Sequence, residues 1–200
     1  GLVLVVSVVM FAALVDVRAD TLTWDNGEGN FEWNTTSTNW SGTSTWSNDT
    51  PDNAVFGATG KGTVTLTEPI TAGSVTIGVK DADYGYAIVS ADPANTLTVN
   101  GQLTAAEKNG LNIHSHIILT NSGTIACLHN GASSLHLYGD LYLNDDGVKI
   151  YPNHGNRIIT IRGDLNGTAS SVSIGRGTTR IHDTATVNYG GKFRIWRSGP

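Results

Sequence analysis

Asp140 and Asp164 hold the same place in two short segments, LYGDL and IRGDL, each just after a glycine and just before a leucine. If those segments lie in neighbouring turns of a coiled chain, the two carboxylates stand about one strand spacing apart, ~4.8 Å. Carboxylates that close either raise the pKa of one member or bind a hard cation such as Ca²⁺. Tyr138 and Arg162 match in the same way one position before the glycine, which puts a guanidinium beside the acidic pair. Gln102 takes the aspartate's place in an earlier copy, NGQL. Asp140, Asp164 and Arg162 are therefore the catalytic candidates, and Asp140 and Asp164 the cation-ligand candidates. Solvated turn residues are the plainer reading and the preferred one.

Other groups offer less. His114 and His116 in LNIHSHIIL alternate onto the face opposite Ile113 and Ile117, and zinc would need a third ligand. His129 or His136 could supply it only if a coil brought them across, so an exposed polar face is preferred. Asn144-Asp145-Asp146-Gly147 reads as turn chemistry. The Gly-Gly-x-Gly-x-Asp calcium repeat, GxSxG, HExxH, the P-loop and nucleotide fingerprints are all absent from the sequence. Apart from Ca²⁺ at the acidic pair, no cofactor is expected. Trp24, Trp33, Trp40 and Trp46, four of the five tryptophans, crowd one polar, glycine-rich stretch. They could be sugar-stacking platforms or a plug over the end of a core, and their uneven spacing fits neither a helical face nor one strand face. The plug is preferred.

These side chains must be held by strands. GTVTLTEPITAGSVTIG alternates apolar and polar residues with a period of two, and no window beyond the apolar opening sustains a helical period. An apolar-x-apolar-x-Gly-x-Leu unit recurs as LTVNGQL, LHLYGDL and ITIRGDL, with weaker copies ending at Gly78, Gly123 and Gly175. The steps Gly78 to Gly101, Gly101 to Gly123 and Gly139 to Gly163 are similar in length, whereas Gly123 to Gly139 and Gly163 to Gly175 are shorter. The longer steps fall in the range of roughly 20–25 residues that suits one turn of a parallel β-helix, whose coils cannot bury their core alone and need a cap. The expected architecture is all-β: a Trp-rich N-terminal cap over 20–56, then β-solenoid coils over 57–200 that continue past the end of this sequence.

Residues 1–19 read as a secretory signal that lacks its basic n-region: an apolar run from Leu2 to Val15, then Val17-Arg18-Ala19 as a cleavage site. An uncleaved membrane anchor is the alternative. Export would favour disulfides, yet Cys127 is the only cysteine, so no intramolecular bridge can form, and alternation buries its thiol. The four N-x-[ST] sequons at Asn34, Asn39, Asn48 and Asn166 are accounted for by chance in so Asn- and Thr-rich a chain. With a net charge of −5 and no basic run, nucleic acid and nucleotides are not expected partners.

The pattern Trp24-Asp25-x-Gly27, Trp33, Asn39-Trp40, Pro51-Asp52 and Ala54-Val55-Phe56-Gly57, followed by GTVTLTEPITAGSVTIG, resembles secreted bacterial proteins of the autotransporter-associated β-strand repeat type. The resemblance covers about residues 20–80. It implies a right-handed β-helix, secreted or displayed on a bacterial cell surface, with no catalytic residues to carry over. The expected role is thus a non-enzymatic scaffold or passenger segment for adhesion or contact with polysaccharide. The acidic pair beside Arg162 also resembles β-helical polysaccharide lyases, where Ca²⁺ neutralises a uronate and an arginine acts as base. That keeps a lyase or glycosidase on acidic polysaccharide as the enzymatic alternative, and a Trp-based carbohydrate-binding module as a third reading.

Overall fold

A computed structural model describes residues 19–78, 85–106, 111–127, 134–153 and 156–195, and these form a parallel β-solenoid without helix. Residues 1–18, with the apolar run from Leu2 to Val15, and His129 lie outside the described residues. The chain enters through Thr21–Trp24 (β1) and Glu32–Trp33 (β2). Each circuit then gives one strand to each of three sheets: Asn53–Phe56, Thr63–Leu66 and Ile70–Ala72 (β3–β5), then Ser74–Ile77, Ala87–Ser90 and Leu97–Val99 (β6–β8). Gln102–Ala105, Leu111–Ile113 and Ile117–Leu119 (β9–β11) precede Thr124–Cys127, Ser134–Leu137 and Leu141–Leu143 (β12–β14). Lys149–Tyr151, Ile158–Ile161 and Leu165–Gly167 (β15–β17) are followed by Ser171–Ile174, Thr178–Ile181 and Val187–Tyr189 (β18–β20), and by Lys192–Ile195 (β21). The first sheet stacks β1, β3, β6, β9, β12, β15, β18 and β21. The second runs from β2 and β4 to β19, and the third from β5 to β20.

The period-two pattern works as expected. Inward residues stack on their counterparts one coil away: Ala54, Val75, Leu103, Ile125 and Ile150 in the first sheet, and Ile70, Leu97, Ile117, Leu141 and Leu165 in the third. All ten are buried in one continuous core, which also holds Cys127. Circuits differ in length, the one from Leu97 to Ile117 being shorter than the one from Val75 to Leu103. The sheets tolerate this spread because loops absorb length without disturbing register.

Glycines follow the corners, which explains their uneven spacing. Gly73, Gly101 and Gly123 stack where the third sheet turns into the first, and Gly139 and Gly163 where the second turns into the third. The short steps from Gly123 to Gly139 and from Gly163 to Gly175 pass from one corner to another. LTVNGQL therefore belongs to a different corner from LHLYGDL and ITIRGDL, so Gln102, at the start of β9, is not equivalent to Asp140 and Asp164. At Gly163 a β-carbon would strike the Gly139 carbonyl of the coil below. Backbone passes over backbone there, and no larger residue fits.

Trp24, Trp33, Trp40 and Trp46 are 0–2% exposed, and they close the end of the core. Their rings contact one another at centroid distances of 4.8–5.3 Å, and Phe56 carries the cluster onto Tyr86. Trp24 Nε1 donates to the Gly60 carbonyl at 2.9 Å and Trp46 Nε1 to that of Thr71 at 3.1 Å. The chain between and after β1 and β2 that carries the cluster is irregular and held by polar side chains. Asn39, fully buried, donates to Asn30 Oδ1 and the Glu32 carbonyl and accepts from the Glu28 N–H. Phe31 adopts a left-handed φ of 57°, tied by its N–H to Asn26 Oδ1, with its ring over Gly62. The sequon residues Asn34 and Asn39 are buried among these bonds. The strand expected inside the cap, Ala54–Phe56, is part of β3 and pairs with β1 on one side and β6 on the other.

Two outcomes follow from this packing. Leu141→Ala, which opens a void within a ladder, should cost about 2–4 kcal/mol in a denaturant titration. The four capping indoles should emit at blue-shifted wavelengths with weak iodide quenching, and Trp40→Ala should lower the melting temperature while increasing quenching.

Candidate functional site

The corner between the second and third sheets brings the acidic pair together. Leu141 pairs with Leu165, so Asp140 and Asp164 are in-register neighbours, as the matching segments predict. Their carboxylates, however, are engaged with the backbone. Asp140 Oδ1 accepts the N–H of Asp164 at 2.8 Å, and Asp164 Oδ1 accepts the N–H of Thr186 at 2.7 Å. His116 begins the column: its Nδ1 accepts the N–H of Asp140 at 2.9 Å and lies 3.4 Å from Asp140 Oδ2. With Nδ1 accepting, the neutral imidazole carries its proton on Nε2. Each side chain in this column thus caps a backbone donor of the next coil.

Magnitudes favour that structural use. Two carboxylates at ~4.8 Å in water-like surroundings repel by about 1 kcal/mol, using Coulomb's law. A hydrogen bond to a charged acceptor contributes roughly 1.5–3 kcal/mol. Stacked like charges are therefore tolerated when each one satisfies an N–H. The negative charge reaches Tyr142, whose hydroxyl is held above its ordinary range by burial first and then by Asp140 and Asp164.

The neighbouring outward column on the second sheet carries His114, Tyr138, Arg162 and His182 on successive coils. The His114 ring lies flat on Tyr138, with centroids 4.4 Å apart and planes 7° apart. Arg162 Cζ sits 5.2 Å from the Tyr138 centroid. Coil order puts these neighbours on opposite sides, so Tyr138 is 41% exposed yet has both ring faces in use. His136, in the adjacent column between Asn112 and Thr160, has its pKa pushed down by burial and by the Arg162 charge.

His114 and His116 are separated by buried Ser115 and fall into different columns, one stacked on Tyr138 and the other bonded to Asp140. Among the described residues no group of three or more His, Cys, Asp or Glu side chains could hold a metal ion. Asp145 and Asp146 act as turn residues, accepting from the Asn121 and Ser170 N–H groups. The four tryptophans present no ring face to solvent, so the platform reading gives way to the cap: their apolar area is buried against the core.

Sequence reasoning missed a second cluster. On the outer face of the first sheet Thr124, Lys149, Tyr151, Ser173 and Gly175 line a groove of about 600 Å³. Thr124, Lys149 and Ser173 are stacked in register, and the Tyr151 ring occupies the space that a β-carbon on Gly175 would need. The only hint in the sequence was that Tyr151 and Gly175 are separated by close to one coil length.

Compared with known proteins, the chain matches no family model, no curated protein and no solved structure.

Two measurements probe the corner. Asp140→Ala should destabilise the fold by about 1–3 kcal/mol because the Asp164 N–H loses its acceptor, while Asp140→Asn, which keeps a carbonyl oxygen, should cost less. His136 prefers its neutral form in the folded chain, so the unfolded chain binds more protons near its ordinary pKa of 6.5. Stability should therefore be full above pH 6.5 and fall on acidification below it, and His136→Gln should flatten that part of the profile in pH-dependent melts.

Proposed function

We propose that this chain is an exported, non-enzymatic scaffold segment whose outer columns make contact with polysaccharide or another cell-surface component in adhesion. The observation that carries the reading is the use made of the acidic pair: Asp140 and Asp164 serve as backbone acceptors from coil to coil. Their neighbour Tyr138 is likewise taken up by His114 and Arg162. The side chains best placed for chemistry are thus engaged in stacking, while long columns of polar residues face outward, a surface suited to extended ligands. The apolar opening and the resemblance to autotransporter-associated repeats support export to a bacterial surface.

A second reading has one observation in its favour. Asp140 and Asp164 are neighbours on a partly exposed corner with Arg162 one position before the adjoining glycine, the placement a Ca²⁺-assisted lyase on acidic polysaccharide would need. Each carboxylate keeps a second oxygen outside the backbone bonds described above.

The test is to incubate the chain with neutral and acidic polysaccharides, with and without Ca²⁺, and to follow both co-sedimentation and chain length by mass spectrometry. The scaffold reading expects polymers that are retained but unshortened. Ca²⁺-dependent shortening that disappears in Asp164→Asn, a variant that keeps the acceptor for Thr186, would replace it with the lyase.

A further inference from the structure

The groove on the first sheet has the composition of a binding site. Its volume of about 600 Å³ falls within the roughly 300–1,000 Å³ usual for small-ligand sites, enough for one or two sugar rings. Tyr151 is half-buried and laid across Gly175, a coil-to-coil pairing that only glycine allows because any β-carbon would displace the ring. Among the described residues no other ring and no cation packs on Tyr151, in contrast to Tyr138. A ring fixed on the sheet with a face left over is what a pyranose stacks on. Thr124 and Ser173, in register on either side of Lys149, line the same groove with short hydrogen-bonding hydroxyl groups.

Charge then selects the ligand. Lys149, Ser173 and Arg194 are stacked in register on β15, β18 and β21, so the backbones of two cationic residues lie about two strand spacings apart, ~9.6 Å, with a serine between them. Lys192 lies on the same outward face of β21, two residues before Arg194. Neither lysine forms an ion pair among the described residues. Asp146, whose charge is felt by Arg194, is bonded to the Ser170 N–H and hydroxyl, and these bonds, more than Arg194, hold its pKa down. The setting is unusual in this chain. Residues 19–106 hold ten acidic and two basic residues, whereas residues 107–200 hold six acidic and nine basic ones.

We infer that the groove of Thr124, Lys149, Tyr151, Ser173 and Gly175 binds an acidic saccharide, with the sugar ring stacked on Tyr151 and its carboxylate or sulfate on Lys149. The inference rests on the reading of the chain as a polysaccharide-contacting scaffold, and it gives that contact a place and a chemistry. Arg194 lies where the next anionic unit of a polymer running along the solenoid axis would meet a second cation.

Calorimetric titration of the full chain tests it, using a galacturonate oligosaccharide, its neutral methyl ester, a sulfated galactan oligosaccharide and inorganic polyphosphate. The free acid should bind at least about tenfold more tightly than the ester, because a charge-assisted contact is lost on esterification. Comparing galacturonate with the sulfated oligosaccharide decides which anionic group is preferred. Lys149→Gln and Tyr151→Ala should each weaken the acid by about tenfold, while Tyr151→Phe keeps the stacking face and the affinity. Gly175→Ala should displace the ring without removing a charge and weaken binding severalfold, with melts checking that each variant is folded. Wild-type affinity in Lys149→Gln and Tyr151→Ala, with the acid still bound, would overturn the groove and leave the scaffold reading standing. Absence of binding to every saccharide would overturn both. Polyphosphate bound as tightly as the acidic sugars would overturn the saccharide assignment and leave only a cationic patch.

Discussion

Coil-on-coil hydrogen bonding at one fixed spacing governs this molecule. Because each strand pairs in parallel with its counterparts above and below, every side chain meets one from the same position of the next coil, about 4.8 Å away. Only sets that tolerate such repetition survive: aliphatic ladders inside, glycine backbones at the corners, and polar side chains outside that bond forward to the next coil. The column from His116 through Asp140 and Asp164 to Thr186 shows the rule at work, since a histidine and two aspartates are accepted because each offers an acceptor to the next N–H.

The same constraint explains the cap. A solenoid end exposes both unpaired strand edges and the cross-section of its core. β1 and β2 extend two of the three sheets at that end, while the loop between β2 and β3 folds tryptophans over the opening. Large rings suit this task because few residues must cover a wide area, each indole removing about 150–250 Å² from water. The irregular backbone this requires, with left-handed residues such as Asn26, Phe31 and Thr43, is offset by the bonds of the buried amides of Asn34 and Asn39.

Much of this was legible in the sequence for a simple reason. Alternation in segments such as GTVTLTE fixes which side chains are inside, and matching GDL segments fix the neighbour relation of Asp140 and Asp164. What the sequence hid is the identity of each corner. NGQL looks like YGDL and RGDL because both corners use a glycine where backbone passes over backbone, but loop lengths rather than local residues decide which corner a segment occupies. Histidine in the aspartate column was hidden for a similar reason: Nδ1 of His116 replaces a carboxylate oxygen with no resemblance in residue type. The Tyr151–Gly175 pair joins dissimilar residues through register alone.

Register therefore carries functional information that no local motif holds. In a compact enzyme a site gathers side chains from scattered loops, and its geometry is particular to that place. In a solenoid any residue acquires partners at multiples of one spacing along the axis, so a binding surface arises when a few columns acquire the right side chains. Tyr138 and Tyr151 make the comparison within one chain. Both are outward tyrosines at strand ends, yet the coils beside Tyr138 supply His114 and Arg162, which occupy its faces, whereas the coil after Tyr151 supplies a glycine. One ring becomes mortar between coils, and the other becomes floor. What a coil places above and below an aromatic residue thus decides whether that residue holds the fold together or meets a ligand.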